Sequence, residues 1–319
     1  MRRPGWWTMA ALAARTSVGG QAVIEGVMMR AKDRLAIAVR KPDGAIKVES
    51  RPWFSLTDAP ILKKPFVRGF PVLLETLVNG IKALNYSAGE ALEEDDQDAG
   101  KPLSSWQIVL TMGVAIGAAL LLFVVLPHFF SMVMKWWGLG GEVDDLSFHA
   151  WDGLFKLLMF VGYIVAISFV PDIRRVFQYH GAEHKAIWSY ETDGALTPAA
   201  ARDFSRLHPR CGTAFLLFVL AVSIALFAVL VPWLLTFYSP ANYWLKHGYI
   251  VGMKLVLMVP VSCLAYELIK FAGRFHENIM CKALCWPGLA MQVLTTKEPD
   301  DSQLEVAIAA LKCALGEEG

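Results

Sequence analysis

The sequence predicts an α-helical integral membrane protein: four transmembrane helices, a small cytosolic N-terminal α+β region and a C-terminal helix. Three observations carry that expectation. Of 319 residues, 55% are hydrophobic and only 18% charged, with mean hydropathy +0.43, which is too apolar for a soluble chain of this length. Four stretches, approximately 106–130, 151–171, 213–238 and 248–271, are apolar over the roughly 20 residues that a span requires. Basic residues are uneven: the 172–212 loop holds six (Arg174, Arg175, Lys185, Arg202, Arg206, Arg210), whereas 131–150 and 239–247 hold one each, Lys135 and Lys246. Loops rich in lysine and arginine stay in the cytosol, so the 172–212 loop and both termini are expected there.

The elements follow in order. The start, MRRPGWWTMAALAARTSVGG, has two arginines and an apolar run of about ten residues, too short to span, and reads as an uncleaved leader or interfacial anchor. It opens a cytosolic N-terminal region, 1–102. Within it RLAIAVRKPDGAIKVES alternates Leu35, Ile37, Val39 and then Ile46, Val48 around Pro42-Asp43-Gly44, a β-hairpin signal. FPVLLETLVNGIKALNYSAG spaces Leu73, Leu74, Leu77, Ile81 and Leu84 as a helix, with Pro71 where a first turn tolerates it. That helix either lies on the membrane or covers the small sheet. EEDDQDAGKP, 93–102, reads as an acidic linker.

The four-span membrane domain is expected over 103–272. Its first span is free of charge; the second carries Lys156, and the fourth holds Pro260 in its middle and Glu267 near its end. With Lys254 and Lys270 these are the charges assigned to the spans, too few for an obvious ion path, which places a transporter last among the readings. Trp136, Trp137, Trp151, Trp233 and Trp244 stand near predicted span ends, as an aromatic belt does. In the C-terminal tail, 273–319, KEPDDSQLEVAIAALKCAL reads as a helix with a Ser302/Glu305 capping box and the stripe Leu304, Ile308, Leu311, Leu315.

The net charge of +1 gives nucleic acid no foothold, and the bilayer is the expected partner, with a substrate or protein partner unspecified. Five cysteines, an odd number, read as reduced thiols. Cys281 and Cys285 read as apolar-facing thiols.

Chemistry concentrates in the cytosolic loop. In FQYHGAEHKAIWSYE, 177–191, a helix puts His180 and His184 on one face a turn apart, where two imidazoles can share one divalent ion. Glu183 lies beside them as the candidate general base, the ligand-and-base pattern of H-x-x-E-H metalloproteases. Gly181 lowers helix stability by roughly 1 kcal/mol. Further on, LHPRCGT offers His208 and Cys211 as a further nitrogen and sulfur. Glu267, costly inside a span, is a further candidate ligand. Each has a plainer reading: a polar juxtamembrane helix for the two histidines, a Pro209-fixed turn residue for His208, a small buried residue for Cys211, and a pair with Lys270 or Arg274 for Glu267. His128, His149 and His247 fall at the opposite membrane side, and His276 has no clear partner. Zinc is the ion these ligand types suggest first.

With GGQAVIEGVMMR, QYHGAEHKAI, HPRCGTAFL and LTTKEPDDSQLEVAIAALK in order from residue 19 to 312, the chain resembles the YqhQ-like family of uncharacterised bacterial membrane proteins. The resemblance implies a bacterial inner-membrane protein and a metal-dependent enzyme of unassigned substrate, its carry-over falling on His180, Glu183, His184, His208 and Cys211. Gln21, Glu25 and Arg30 belong to the first motif, contacting the site or forming a structural network. The expectation is a metal-dependent enzyme, hydrolytic, at the cytosolic membrane surface. Its alternative is a non-catalytic assembly or scaffold protein with a structural metal or none.

Overall fold

A computed structural model describes residues 18–92, 105–192, 195–209, 211–274 and 279–317. The leader-like start through residue 17, the acidic linker, Arg210, His276 and the side chains of Arg274, Cys281 and Cys285 lie outside the described residues.

Four antiparallel strands form one sheet in sequence order: β1 (Val18–Val23), β2 (Gly26–Ala31), β3 (Arg34–Arg40) and β4 (Ile46–Pro52). The β3–β4 hairpin is the one expected around Pro42-Asp43-Gly44, with Arg40 opposite Ile46 and Gly44 at φ +87, where glycine is at ease. Strands β1 and β2 were not read from the sequence. Both faces of β2 are covered, so it lacks the apolar–polar alternation that marks a half-exposed strand. Val27, Met29, Ala36 and Ala38 point to one face; Met28, Leu35, Ile37 and Val39 point to the other.

Helix α1 (Gly69–Glu90) covers the second face, where Ala83 meets that apolar row. The choice left open by the sequence thus falls on covering the sheet. Glu75 anchors the loop before it, accepting the backbone N–H groups of Leu56 and Thr57 at 2.5 and 2.6 Å and the Ser55 hydroxyl at 3.0 Å.

The other helices are α2 (Ser105–Leu120), α3 (Leu126–Trp136), α4 (Leu146–Ile167), α5 (Pro171–Thr192), α6 (Pro198–Arg202), α7 (Gly212–Leu235), α8 (Tyr243–Arg274), α9 (Ile279–Thr295) and α10 (Asp301–Leu315). A π-helical turn, Leu121–Val125, joins α2 to α3. Four segments are long and apolar enough to cross a membrane: Gly113–Trp136, Leu146–Ile167, Phe215–Leu235 and Tyr243–Ala272. The helical run of the first begins at Ser105 and continues past residue 130 to Trp136, Pro127 falling in the first turn of α3, where proline is tolerated.

The 172–212 loop is mostly the helix α5, and it packs on the first sheet face together with α10. Tyr179, Ala182 and Ala186 of α5 meet Leu304, Ile308 and Leu311 of α10 across Val27, Met29 and Ala38. The loop between two apolar helices, the N-terminal sheet and the C-terminal helix therefore share one core. The α10 stripe is as expected, but its cap is not Ser302 with Glu305. Asp300 is the N-cap, closing a box with Gln303, while Glu305 pairs with Arg40 at 2.9 Å. The sequence DDSQLE offers two overlapping boxes, and the earlier one is used because Ser302 itself bonds to Asp300.

Candidate metal centre

Helical spacing puts His180 and His184 on one face of α5, with ring centroids 4.5 Å apart. What brings a third donor to them is the start of α7. Cys211 is the N-cap there, and its Sγ lies 3.2 Å from His180 Nε2. One nitrogen from each histidine and the Cys211 sulfur all lie within 4.8 Å of one another.

The remaining polar atoms of these side chains are tied to backbone. His180 Nδ1 donates to the Thr295 carbonyl at 2.8 Å, and His184 Nδ1 to the Arg206 carbonyl at 2.5 Å. A carbonyl can only accept, so each imidazole keeps its proton on Nδ1 and turns the Nε2 lone pair toward the cluster. Nε2 of His184 is buried with no hydrogen-bond partner of good geometry, although Cys211 is near enough to interact with it electrostatically. An orphaned, inward-aimed lone pair beside a second imidazole and a thiol fits a divalent ion of the zinc type. The 3.2 Å between His180 and Cys211 is close to the roughly 3.5 Å expected of a nitrogen and a sulfur on one zinc.

The supporting backbone is held by segments that flank the cluster. Lys297 N–H donates to the Phe177 carbonyl at 2.8 Å, so segment 295–299 crosses α5 at residue 181. A Cβ on Gly181 would strike the Lys297 carbonyl, so glycine here is what admits the crossing and with it the Thr295 carbonyl. Arg206 reaches Thr296 through its carbonyl and, at 3.0 Å, its hydroxyl. Gln292 brackets the His208 backbone, accepting its N–H and donating to its carbonyl, both at 2.8 Å. Trp188 Nε1 donates to the Leu207 carbonyl at 2.9 Å.

Burial sets the protonation. Desolvation pushes the His184 pKa below its ordinary value, the nearby Cys211 opposing it. For Cys211, burial alone raises the thiol, but His184 and then the Thr213 hydroxyl and N–H outweigh it and bring the pKa down. Its place at the start of α7 favours a thiolate too.

Glu183 is 5% exposed and packs against β1, where a Cβ on Gly20 would come within 2.9 Å of its Cγ. Burial pushes its carboxyl up to about 8; His180 and the Gly20 N–H oppose the rise and Cys211 adds to it.

Two expected ligands stand elsewhere. His208 lies next to the cluster, its ring 5.8 Å from that of His184, but its Nε2 faces Glu191 at 3.3 Å and it leans on Trp188. Desolvation lowers its pKa to about 4. Glu267 does not join the donors at all. Both its oxygens are held by Arg68, each at 2.7 Å. That partner is 199 residues away in the chain, and Lys270 adds a weaker attraction.

The first motif's polar residues serve packing. Glu25, at φ 50 in the β1–β2 turn, holds Arg175 of α5 with both oxygens at 2.5 Å. Gln21 packs its amide on Gly80 of α1, and Arg30 stacks on Trp53 with 3.9 Å to the ring centre. Sequence reasoning passed over Asp152, Thr295 and Gln292. For Asp152 the signal was present: a carboxylate four residues before Lys156 on one helix.

A model of the family described as Protein of unknown function (DUF1385) matches residues 64–317. The chain is also similar to the Uncharacterized protein YqhQ of Bacillus subtilis (strain 168), 35% identical over 303 residues, covering 91% of this chain and 89% of that protein. No solved structure matches.

Proposed function

The chain belongs to the family described as Protein of unknown function (DUF1385), and on that premise we propose that it is a metal-dependent, hydrolytic enzyme of the bacterial inner membrane. It is multi-pass, with both termini and the His180–Cys211 cluster in the cytosol. The observation that carries this is that, among the described residues, the donor set has three protein atoms, two imidazole nitrogens and a sulfur, within 4.8 Å. A structural zinc site is closed by four protein ligands, whereas a catalytic one keeps a position for substrate. Support for the orientation is the excess of basic residues in the 172–212 stretch.

When bound, a divalent ion supplies Lewis-acid polarisation of a carbonyl or phosphoryl oxygen. His180, His184 and Cys211 hold it, and the carbonyls of Thr295 and Arg206 fix the two rings. Glu183 is the group placed to hold or give up a proton beside them. Zinc remains the first expectation from the donor types.

Glu183 also favours a second reading. It is sealed against Gly20, where a reactant has little room, and this suits a scaffold whose metal or histidine cluster only fixes the fold. Glu183→Gln separates the two. As a general base its loss leaves metal content and folding intact while a deletion strain is no longer complemented. Full complementation by Glu183→Gln selects the scaffold.

A further inference from the structure

A second group of ionisable side chains lies at the other end of the apolar helices. Asp152 and Lys156 stand four apart on α4, with His149 one turn earlier; His247 and Lys254 stand two turns apart on α8; His128 comes from α3. All six are buried, and Lys254 is 0% exposed. His128 lies in the first turn of α3, and the other five lie in the N-terminal halves of α4 and α8. The His180–Cys211 cluster sits where α4 ends and α7 begins, so the two groups occupy opposite ends of the bundle.

The contacts form a line. His247 Nδ1 and His128 Nε2 are 2.7 Å apart; His128 Nδ1 is 3.2 Å from Lys254 Nζ; Lys254 Nζ is 3.0 Å from Asp152 Oδ2. Lys156 Nζ reaches the same Oδ2 at 2.7 Å, and Asp152 Oδ1 is buried with no partner. Helix α7, packed here, carries no charge and offers the Phe227 ring, 4.5 Å from Lys156 Nζ. Toward the bundle end the charges near His247 are paired with each other: Lys135 with Glu142, and Lys246 with Asp144.

Chemistry fixes the direction of each bond. An ammonium has donors only, so charged Lys254 donates to His128 Nδ1. The His128 proton then sits on Nε2 and is donated to His247 Nδ1, which leaves the His247 proton on Nε2. The charge count shows why this line is not a settled salt bridge. Two ammoniums share one carboxylate, leaving one positive charge unmatched in an apolar bundle, where an unmatched ion is costly.

We propose that these residues form a proton-exchange site, loaded and unloaded through His247 at the bundle end remote from the His180–Cys211 cluster. In release, Lys254 Nζ gives a proton to His128 Nδ1, His128 Nε2 gives its proton to His247 Nδ1, and His247 Nε2 gives its proton to water. Each hop breaks one N–H bond and forms one bond to hydrogen. Lys254 is left a neutral amine, and Lys156 and Asp152 are left as a matched pair. Uptake reverses the steps. The site is independent of any metal at the other end.

Histidine-ring NMR on the full chain in lipid nanodiscs, titrated with acid and base, tests this with the proton itself as probe. His128 and His247 are expected to change protonation or tautomer together, and the His128 ring N–H to exchange with solvent despite its burial. His247→Phe is expected to slow that exchange by an order of magnitude or more. Lys254→Gln, if it folds, is expected to abolish the joint change while leaving the His180 and His184 signals in place. Two results overturn the proposal: rings that keep one tautomer and charge throughout the wild-type titration, or His128 exchange indifferent to His247→Phe. The first needs no variant.

Discussion

The two clusters use histidine to opposite ends. At the candidate metal centre the His180 and His184 rings are each pinned by a backbone carbonyl, so each Nε2 is aimed and its proton is elsewhere. In the apolar bundle both nitrogens of His128 meet other side chains, and protons have somewhere to go. Backbone anchoring prepares a lone pair for an ion; side-chain-to-side-chain contact prepares a path. The candidate metal centre is assembled from segments far apart in the chain, whereas Asp152 and Lys156 find each other within one helix.

The largest effect expected of any single change is in the bundle. Asp152→Ala strands Lys156 and Lys254 without a counter-ion, and breaking such a buried set costs about 3–5 kcal/mol. Thermal unfolding in detergent is expected to fall sharply, and a variant as stable as the wild type shows that the charges are not matched inside the bundle. At the metal centre the backbone is the sensitive part. Gly181→Ala gains about 1 kcal/mol of helix propensity but drives a Cβ into the Lys297 carbonyl, and overpacking costs about 1–3 kcal/mol. A net loss of stability together with weaker metal binding is expected, measured by denaturant melts and metal titration; a gain in stability shows that segment 295–299 is free to move aside.

The smallest effect separates both clusters from ordinary buried charge. Glu75 is held below the ordinary carboxyl pKa: burial raises it, but the Thr57 and Leu56 N–H groups and the Thr57 and Ser55 hydroxyls outweigh that. A lowered folded pKa adds stability that is present above the ordinary value of 4.5 and is lost as pH falls below it. Glu75→Gln is therefore expected to lower stability at neutral pH and to flatten the acid limb of the stability profile. An unchanged acid limb shows that Glu75 contributes no charge-linked stability.

What the sequence made legible was local. Helical spacing brought out His180, His184 and the α10 stripe, turn chemistry brought out the β3–β4 hairpin, and hydropathy brought out the four long apolar helices. The rest depends on partners distant in the chain. Glu267 looks like a ligand in search of an ion until Arg68, 199 residues earlier, takes both its oxygens. Strand β1 carries Gly19-Gly20-Gln21 with no alternation to betray it, because Gly20 is there to admit Glu183. Asp152 sits in a helix whose average hydropathy stays high despite it, so Lys156 stands out there without its partner.

The central claim is that His180, His184 and Cys211 hold a divalent ion, and elemental analysis of the purified protein tests it most directly. The wild-type chain is expected to carry about one divalent ion per chain, as a mononuclear site does, and a His180→Ala, His184→Ala double variant of unchanged helical content to carry none. A wild type without a stoichiometric ion even after metal is supplied, or a double variant that retains it, contradicts the account.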